Sequence, residues 1–495
     1  MKKLLLSVSL YLLLPVLLMS ACGGSTEDTS PIPIRSEVLL EPNTATLPHF
    51  LYDIDYMLHV LETNFALFDV AYWARVVGIR ALSANARQAV LDVGEDLDED
   101  GFLQILIENF QPLFNIGHFN IFCVPGRLLE LRLHLSSGHP YAVINAQTLH
   151  SPLAERFYLH RAGLEIDEDE ITRKLLNLHP TLERLLNMDP EDLTDDELVL
   201  LMEIVEQVAH YEGMLAGITL SEEEIAEVMV EILGGRFRNV NTKIIEEGRI
   251  GYVSVNSFMR GDFAADQRQI FEFYREIRGF EHLIIDLRNN GGGHPNWFTD
   301  IFVRPNLETA ITVDLFYFYI DAPYIRHFID QVQARPTLST NIIFMGREFK
   351  TAQEILAEFD FPDRNAADFD RFDYGLTARF TGFPTRVPGF DGPAFDGKIW
   401  FLTGERMGSG AQISATIAKE SGLMTLVGEV TGGVYGGNRA MVLLPNTGIA
   451  FHFDTAYVTD IHGRPLEAGT IPHHFNRPGM DALQTVLALI AEGEY

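Results

Sequence analysis

The sequence predicts an α/β (α+β) domain that follows a helical N-terminal domain and a helical insertion. Apolar residues recur at helical spacing between Pro48 and Phe114. Two capping boxes, beginning at Thr194 and Ser221, indicate helices within an acidic stretch. From Gly248 onward, short apolar strands alternate with helical segments, an order that is typical of layered α/β folds.

Differences in composition and in hydrophobic periodicity divide the chain into five parts. The predicted parts are a signal peptide over residues 1–22, a flexible tether over 23–45, the helical N-terminal domain over 46–122, an acidic helical insertion or linking region over 123–245, and the α/β domain over 246–495.

The N-terminus has the features of a lipoprotein signal peptide. Lys2 and Lys3 precede an apolar run from Leu4 to Leu18, and Met19-Ser20-Ala21-Cys22 follows. This segment resembles the bacterial lipobox, which implies that Cys22 is the acylated first residue of the mature protein. We therefore expect an extracytoplasmic protein that a lipid anchors to a membrane of the bacterial cell envelope. A cleaved secretory signal without lipidation and an uncleaved anchor are the alternatives.

Charge and composition exclude several classes of partner. The formal net charge is −32, so a basic surface for nucleic acid is not expected. Cys123 is the only cysteine besides Cys22 and is interpreted as a buried structural thiol. Asp96 to Gly101 imitates the start of a calcium loop, but Ile107 stands where the bidentate carboxylate belongs, so we interpret it as an acidic helix N-terminus. No metal or other cofactor is expected, and the oligomeric state is not predicted.

The stretch from Lys398 to Gly422 predicts a strand, a tight turn and a helix. Ser409 lies in the turn, at the predicted helix N-terminus, where unpaired N–H groups and the helix dipole favour negative charge. A serine nucleophile needs such a place because its tetrahedral intermediate carries an oxyanion. The alternative is a serine that only caps the helix. Met407 excludes the G-x-S-x-G elbow of α/β-hydrolases.

A second glycine-rich turn follows a buried strand over His282–Leu287. Gly291, Gly292 and Gly293 leave the backbone free to adopt positive φ, which would suit a nest of N–H groups around an anion or oxyanion. A plain tight turn is the alternative.

Together these segments resemble the tail-specific, or C-terminal processing, peptidase family. His282 to Gly293 is similar to the family signature L-I-I-D-L-R-x-N-x-G-G, and Phe395 to Ile417 is similar to its nucleophile stretch. Leu444 to Gly448 and Gly463 to Glu467 resemble later family motifs. The resemblance implies a catalytic domain of the ClpP/crotonase-like, tail-specific protease type over residues 246–495.

The resemblance also implies the catalytic residues. One branch uses a Ser-Lys dyad, but Val434 occupies the lysine position, and no lysine follows Lys419. The tricorn-like branch uses Ser, His and Glu, which implies Ser409 as nucleophile, His118 as base and Glu467 as the orienting carboxylate. It further implies that Gly292 and Gly410 donate backbone N–H groups to the oxyanion. Arg288 is interpreted as an anchor of the glycine turn through carboxylates.

The sequence thus predicts a lipid-anchored serine endopeptidase that cleaves polypeptides through an acyl-enzyme, with protein or peptide as substrate. Gln412 stands where the family has Glu, the closing motif is degraded over Thr470–His474, and no peptide-binding PDZ-like module is evident. These departures leave an alternative, a catalytically inactive protein on the same fold that binds a peptide or an apolar ligand.

Overall fold

The computed structural model describes residues 40–68, 78–114, 116–122, 239–258, 263–326, 349–433 and 437–493, with isolated residues and short runs between 148 and 204 and at 329. Cys22, Cys123, Val434, the two predicted capping boxes and most of the predicted insertion lie outside the described residues. No helix in the described ranges is long and apolar enough to cross a membrane.

The N-terminal region is helical, as the apolar spacing indicates. Its helices are α1 (Leu47–Asn64), α2 (Ile79–Val93) and α3 (Glu99–Phe110). Phe50 on α1 stacks on Phe102 of α3, with ring centroids 4.6 Å apart. Asp98 caps α3 by accepting the Gly101 N–H at 2.8 Å, so this acidic segment is the start of a helix, as predicted.

Most of the remaining elements belong to two sheets and the helices around them. The strands are β1 (Asn120–Ile121), β2 (Val240–Glu246), β3 (Ile250–Val255), β4 (His282–Asp286), β5 (Ile311–Tyr319), β6 (Phe349–Thr351), β7 (Tyr374–Gly382), β8 (Lys398–Thr403), β9 (Thr425–Gly428), β10 (Gly437–Leu443), β11 (Ala450–Thr459) and β12 (His474–Phe475). The further helices are α4 (Pro152–Ala154), α5 (Phe263–Glu276), α6 (Pro295–Phe298), α7 (Ala352–Glu358), α8 (Ala366–Phe369), α9 (Ser409–Glu420) and α10 (Ala482–Glu492).

The first sheet has the strand order β12-β9-β8-β4-β3-β2. Its neighbours are parallel except for the edge pair β2 and β3. Side chains alternate across β4: Leu283 and Ile285 join the core that also contains α5 and α9, whereas Ile284 faces α10. Burial on both faces explains why β4 reads as a continuous apolar run. The predicted α/β fold class is confirmed.

The second sheet is antiparallel, in the order β1-β11-β5-β7-β6, and β10 also pairs with β11. Val313, Leu315 and Tyr317 of β5 belong to the same core as α5 and α9. This core therefore lies between the helices of the first sheet and the inner face of the second sheet.

The structure differs from the predicted elements in two places. Strand β2, Val240–Glu246, pairs with β3, although the sequence places these residues at the end of the insertion. Strands β6 and β7 lie within residues 321–393, a stretch for which the sequence shows no clear period. Both assignments depend on pairing with strands elsewhere in the chain.

The helical region is held to the second sheet by buried polar groups. Asp53 of α1 accepts N–H bonds from Asn446 at 3.0 Å and Thr447 at 2.9 Å, in the turn between β10 and β11. Arg156 contacts Glu99 at 2.5 Å and donates to the Thr447 carbonyl at 2.7 Å. Both members of the Arg156–Glu99 pair are buried, so their charges are compensated within the protein.

Asp53 should make folding stability depend on pH. Burial, opposed by hydrogen bonds from Thr447 and Asn446, raises the pKa of Asp53 to about 6 from 3.8. The native state then binds more protons than the unfolded state between these values, so this contribution to stability is present at low pH and is lost as the pH rises through 6. We expect the difference in unfolding free energy between wild type and Asp53→Asn to change by on the order of 3 kcal/mol between pH 4 and pH 7. Denaturant unfolding at constant ionic strength measures this difference, and a constant difference across that range would contradict the assignment.

Candidate active site

The nucleophile turn joins a buried parallel strand to a helix. Strand β8 ends at Thr403, and α9 begins at Ser409 with Gly408 as its N-cap. Ser409 is half-buried and has φ of +48°, a left-handed conformation that is uncommon outside glycine. Its N–H donates to the Gly433 carbonyl at 3.2 Å. The predicted strand, turn and helix are therefore present, and the serine occupies a strained backbone position of the kind that occurs at functional sites.

The glycine turn packs directly against the nucleophile turn. Gly292 and Gly293 have φ values of +109° and +118°. A Cβ placed on Gly292 would lie 2.7 Å from both the Gly408 carbonyl oxygen and the Gly410 nitrogen. Only a glycine permits this approach of two backbones. The two turns that the sequence singled out thus lie side by side.

The Gly292 N–H has a different partner from the one predicted. It donates to the side-chain oxygen of Asn290 at 2.8 Å, and the Asn290 amide donates to the Val255 carbonyl at 3.2 Å. The predicted oxyanion donor is therefore engaged within its own turn in this conformation. For Gly410, the described residues provide no backbone acceptor to its N–H, as expected for the first turn of a helix.

Arg288 anchors the strand that carries the glycine turn, as the sequence analysis expects. Its guanidinium contacts the Asp286 carboxylate at 2.7 Å and Asp481 at 3.2 Å. Tyr252 also donates to Asp286 at 2.8 Å. These contacts fix the end of β4 from which the glycine turn departs.

His118 belongs to a tight turn that leads into β1 of the second sheet. Its backbone N–H donates to Asp454 Oδ2 at 2.7 Å, and its ring Nδ1 lies 3.1 Å from Asp454 Oδ1. Asp454 is on β11 and its side chain is fully buried, whereas the His118 side chain is 20% exposed. Asp454 is not among the residues predicted from the sequence, where the available signal is an aspartate within the apolar run of β11.

Glu467 lies next to the same turn but contacts the preceding residue. Its Oε2 accepts the Gly117 N–H at 3.2 Å, and the side chain is buried. Gly117 has φ of +56°, and a Cβ there would overlap the Asp454 carboxylate. The Gly117-His118 turn is thus held between two buried carboxylates.

Backbone contacts connect this turn to the nucleophile. The Glu467 carbonyl packs against Gly433, where a Cβ would overlap it, and the Gly433 carbonyl accepts the Ser409 N–H. A chain of contacts through Gly433, Glu467 and Gly117 therefore links Ser409 to the residue before His118, although 291 residues separate Ser409 from His118 in the sequence.

A buried hydrogen-bond network of uncharged side chains links α9 to the segments that contain Thr431 and Thr470. Gln412 donates to Thr470 Oγ1 at 2.8 Å and accepts a hydrogen bond from the Thr431 hydroxyl. Thr470 N–H donates to Thr431 Oγ1 at 2.7 Å. All three side chains are buried. The network holds the segment before Gly433 against the segment after Glu467.

Among the described residues, no group of three or more His, Cys, Asp or Glu side chains is arranged to hold a metal ion. His473 instead uses Nδ1 to accept the Leu426 N–H at 2.9 Å.

A comparison with known families finds a match for the part of the chain that contains the nucleophile turn and the glycine turn. Residues 249–475 match the family model described as peptidase family S41. The chain contains an S41 peptidase domain. This domain is that of a serine peptidase, a hydrolase. No curated protein matches the chain.

Solved structures with a similar backbone trace include several peptidases. A Parabacteroides merdae protein described as a peptidase is 14% identical, with 90% of this chain and 97% of that chain covered and a TM-score of 0.45. Mature CPAF complexed with lactacystin is 12% identical, with 87% and 94% covered and a TM-score of 0.44. The photosystem II D1 C-terminal processing protease is 16% identical, with 49% of each chain covered and a TM-score of 0.30.

The contact between the two turns gives a direct test. Gly292→Ala would place a Cβ against Gly408 and Gly410 and would strain a backbone at φ +109°, so we expect it to lower the unfolding free energy by more than ~2 kcal/mol. It should also displace Ser409 and reduce its reactivity. The neighbouring Gly291 has open space around a Cβ, so Gly291→Ala should change the unfolding free energy by no more than ~0.5 kcal/mol. Denaturant unfolding of the two variants makes the comparison, and equal effects would contradict this packing.

Proposed function

We propose that the protein is a lipid-anchored, extracytoplasmic serine endopeptidase that cleaves polypeptides through an acyl-enzyme on Ser409. The observation that carries the proposal is the strained Ser409 at the head of α9, joined through Gly433 and Glu467 to the turn that presents His118. A serine at its ordinary acidity is a weak nucleophile and needs an adjacent base, and an imidazole titrates in the range where such a base works.

The proposed reaction follows acyl transfer. The Ser409 Oγ attacks the carbonyl carbon of the scissile peptide, and the proton from Oγ passes to the free ring nitrogen of His118. The tetrahedral intermediate collapses, the C–N bond breaks, and His118 gives the proton to the departing amine. Water then attacks the ester with the same proton transfers in reverse order, which releases the second product and restores Ser409.

The oxyanion of this intermediate needs N–H donors close to Ser409. Gly410 at the N-terminus of α9 offers one, supported by the dipole of a helix 12 residues long. For Gly292 to act as the second donor, as the family resemblance implies, its N–H must leave Asn290 or share its hydrogen between two acceptors. Closure on a substrate is one way to produce that change.

The hydrogen bond between Asn290 and the Gly292 N–H favours one alternative function. A protein in which Asn290 permanently occupies the Gly292 N–H would have an incomplete oxyanion site, as a binding protein that retained the fold but not turnover would have. Such a protein would bind peptides without cleaving them. Reaction with a mechanism-based probe separates the two functions.

The first test of the proposal is labelling by a fluorophosphonate probe. We expect wild type to label and Ser409→Ala and His118→Ala to lose labelling by at least about 10³-fold near pH 7, because nucleophile and base act as a unit. Ser421→Ala, at the other end of α9, is the matched control and should label like wild type. Digestion of a peptide library by wild type but not by Ser409→Ala would then establish endopeptidase activity. Equal labelling of wild type and Ser409→Ala would refute Ser409 as the nucleophile.

The proposed anchor has a separate test. Cys22→Ala should abolish incorporation of a labelled fatty acid, because Cys22 is the proposed site of acylation. Cys123→Ala, which removes the other cysteine of the chain, should keep the label. Incorporation of the label into the Cys22→Ala protein would exclude lipidation at this residue.

A further inference from the structure

We propose that Asp454, rather than Glu467, is the carboxylate that orients His118, and that Glu467 positions the backbone of the turn before it. The inference rests on the proposed function, because it concerns how His118 is prepared to act as the base for Ser409. Both Asp454 and Glu467 are positioning residues in this assignment, since each acts through the Gly117-His118 turn.

The ring contact selects one tautomer. His118 Nδ1 lies 3.1 Å and 3.3 Å from the two Asp454 oxygens. An ionised carboxylate only accepts hydrogen bonds, so the ring nitrogen that faces it carries the hydrogen. Nε2 is then the unprotonated nitrogen, which is the one that a general base uses to take a proton from a serine hydroxyl. Asp454 thus supplies what the sequence analysis assigned to Glu467.

Asp454 also fixes the position of the residue that it orients. Its Oδ2 accepts the His118 backbone N–H at 2.7 Å, so one carboxylate binds both the main chain and the ring of the same residue. The Asp454 carbonyl accepts the Ala66 N–H at 3.3 Å, and β11 pairs with β1, β5 and β10. A fully buried side chain on such a strand has little freedom to move, so its acceptor geometry is preorganised.

The hydrogen bond that Glu467 accepts from the Gly117 N–H does not require the Glu467 side chain to be ionised. Its Oε2 accepts the backbone N–H of Gly117 at 3.2 Å. A neutral amide oxygen can accept the same hydrogen bond, whereas a neutral amide at 454 would turn an N–H₂ group towards the ring or the backbone and favour the wrong tautomer. The two carboxylates are therefore distinguishable by isosteric amide substitution.

The kinetic test compares Asp454→Asn with Glu467→Gln. Asp454→Asn should lower kcat for a protein substrate such as casein by about 10³–10⁴-fold with KM changed less than threefold, because the base is held in the wrong tautomer. Glu467→Gln should keep its hydrogen bond to Gly117 and lower kcat less than about 10-fold. The reverse order of the two effects would overturn the assignment and leave Ser409 and His118 as proposed.

A second measurement does not depend on activity or on folding of the Asp454 variant. In the full chain carrying Ser409→Ala, ¹⁵N NMR of the imidazole reports which nitrogen of neutral His118 bears the hydrogen. We expect Nδ1–H, unchanged by Glu467→Gln. A His118 in the Nε2–H form would overturn the assignment. A protein that fails the fluorophosphonate test can still show the Nδ1–H form, so failure of the proposed function and failure of this inference give different results.

Discussion

The site depends on how two buried carboxylates hold the Gly117-His118 turn. Burying an ionised side chain is costly unless hydrogen-bond donors replace water. Asp454 receives the backbone and ring N–H groups of His118, and Glu467 receives the Gly117 N–H. The turn that carries His118 thus provides donors that these carboxylates need. For this reason a segment of the helical region is bound firmly at a site whose remaining parts come from more than 170 residues further along the chain.

The nucleophile turn has the opposite character, because it is held by uncharged groups. Ser409 adopts a positive φ, and glycines on both sides allow the neighbouring backbone to approach it. Beneath it, the Gln412 amide both donates to Thr470 and accepts from Thr431, which a glutamate in its ionised form could not do. The replacement of the family's Glu by Gln412 therefore fits its surroundings.

The sequence predicted the local elements better than their long-range pairing. Strand β5, Ile311–Tyr319, is a long apolar and aromatic run, and such a run is a local signal that the sequence shows directly. Strand β7 was missed because glycines lie near both of its ends and its polar residues interrupt the pattern, so its identity depends on pairing with β5 and β6. The resemblance to the family motifs indicated Ser409, His118 and Glu467 as candidate site residues. They could not indicate that Asp454 faces the His118 ring or that Asn290 occupies the Gly292 N–H, since both contacts depend on three-dimensional placement.

The candidate catalytic groups are divided between the two sheets. Ser409 and the glycine turn follow strands of the parallel sheet, whereas His118 and Asp454 belong to the antiparallel sheet and the turn that leads into it. The distance between Ser409 and His118 is therefore set by the core between the sheets, where β5 and β7 share a hydrophobic cluster with α5 and α9. Close-packed interiors transmit small changes in volume as shifts of whole elements. Since misplacement by about 1 Å can cost on the order of 10²-fold in rate, packing between the sheets constrains the proposed reaction in addition to the residues of the site.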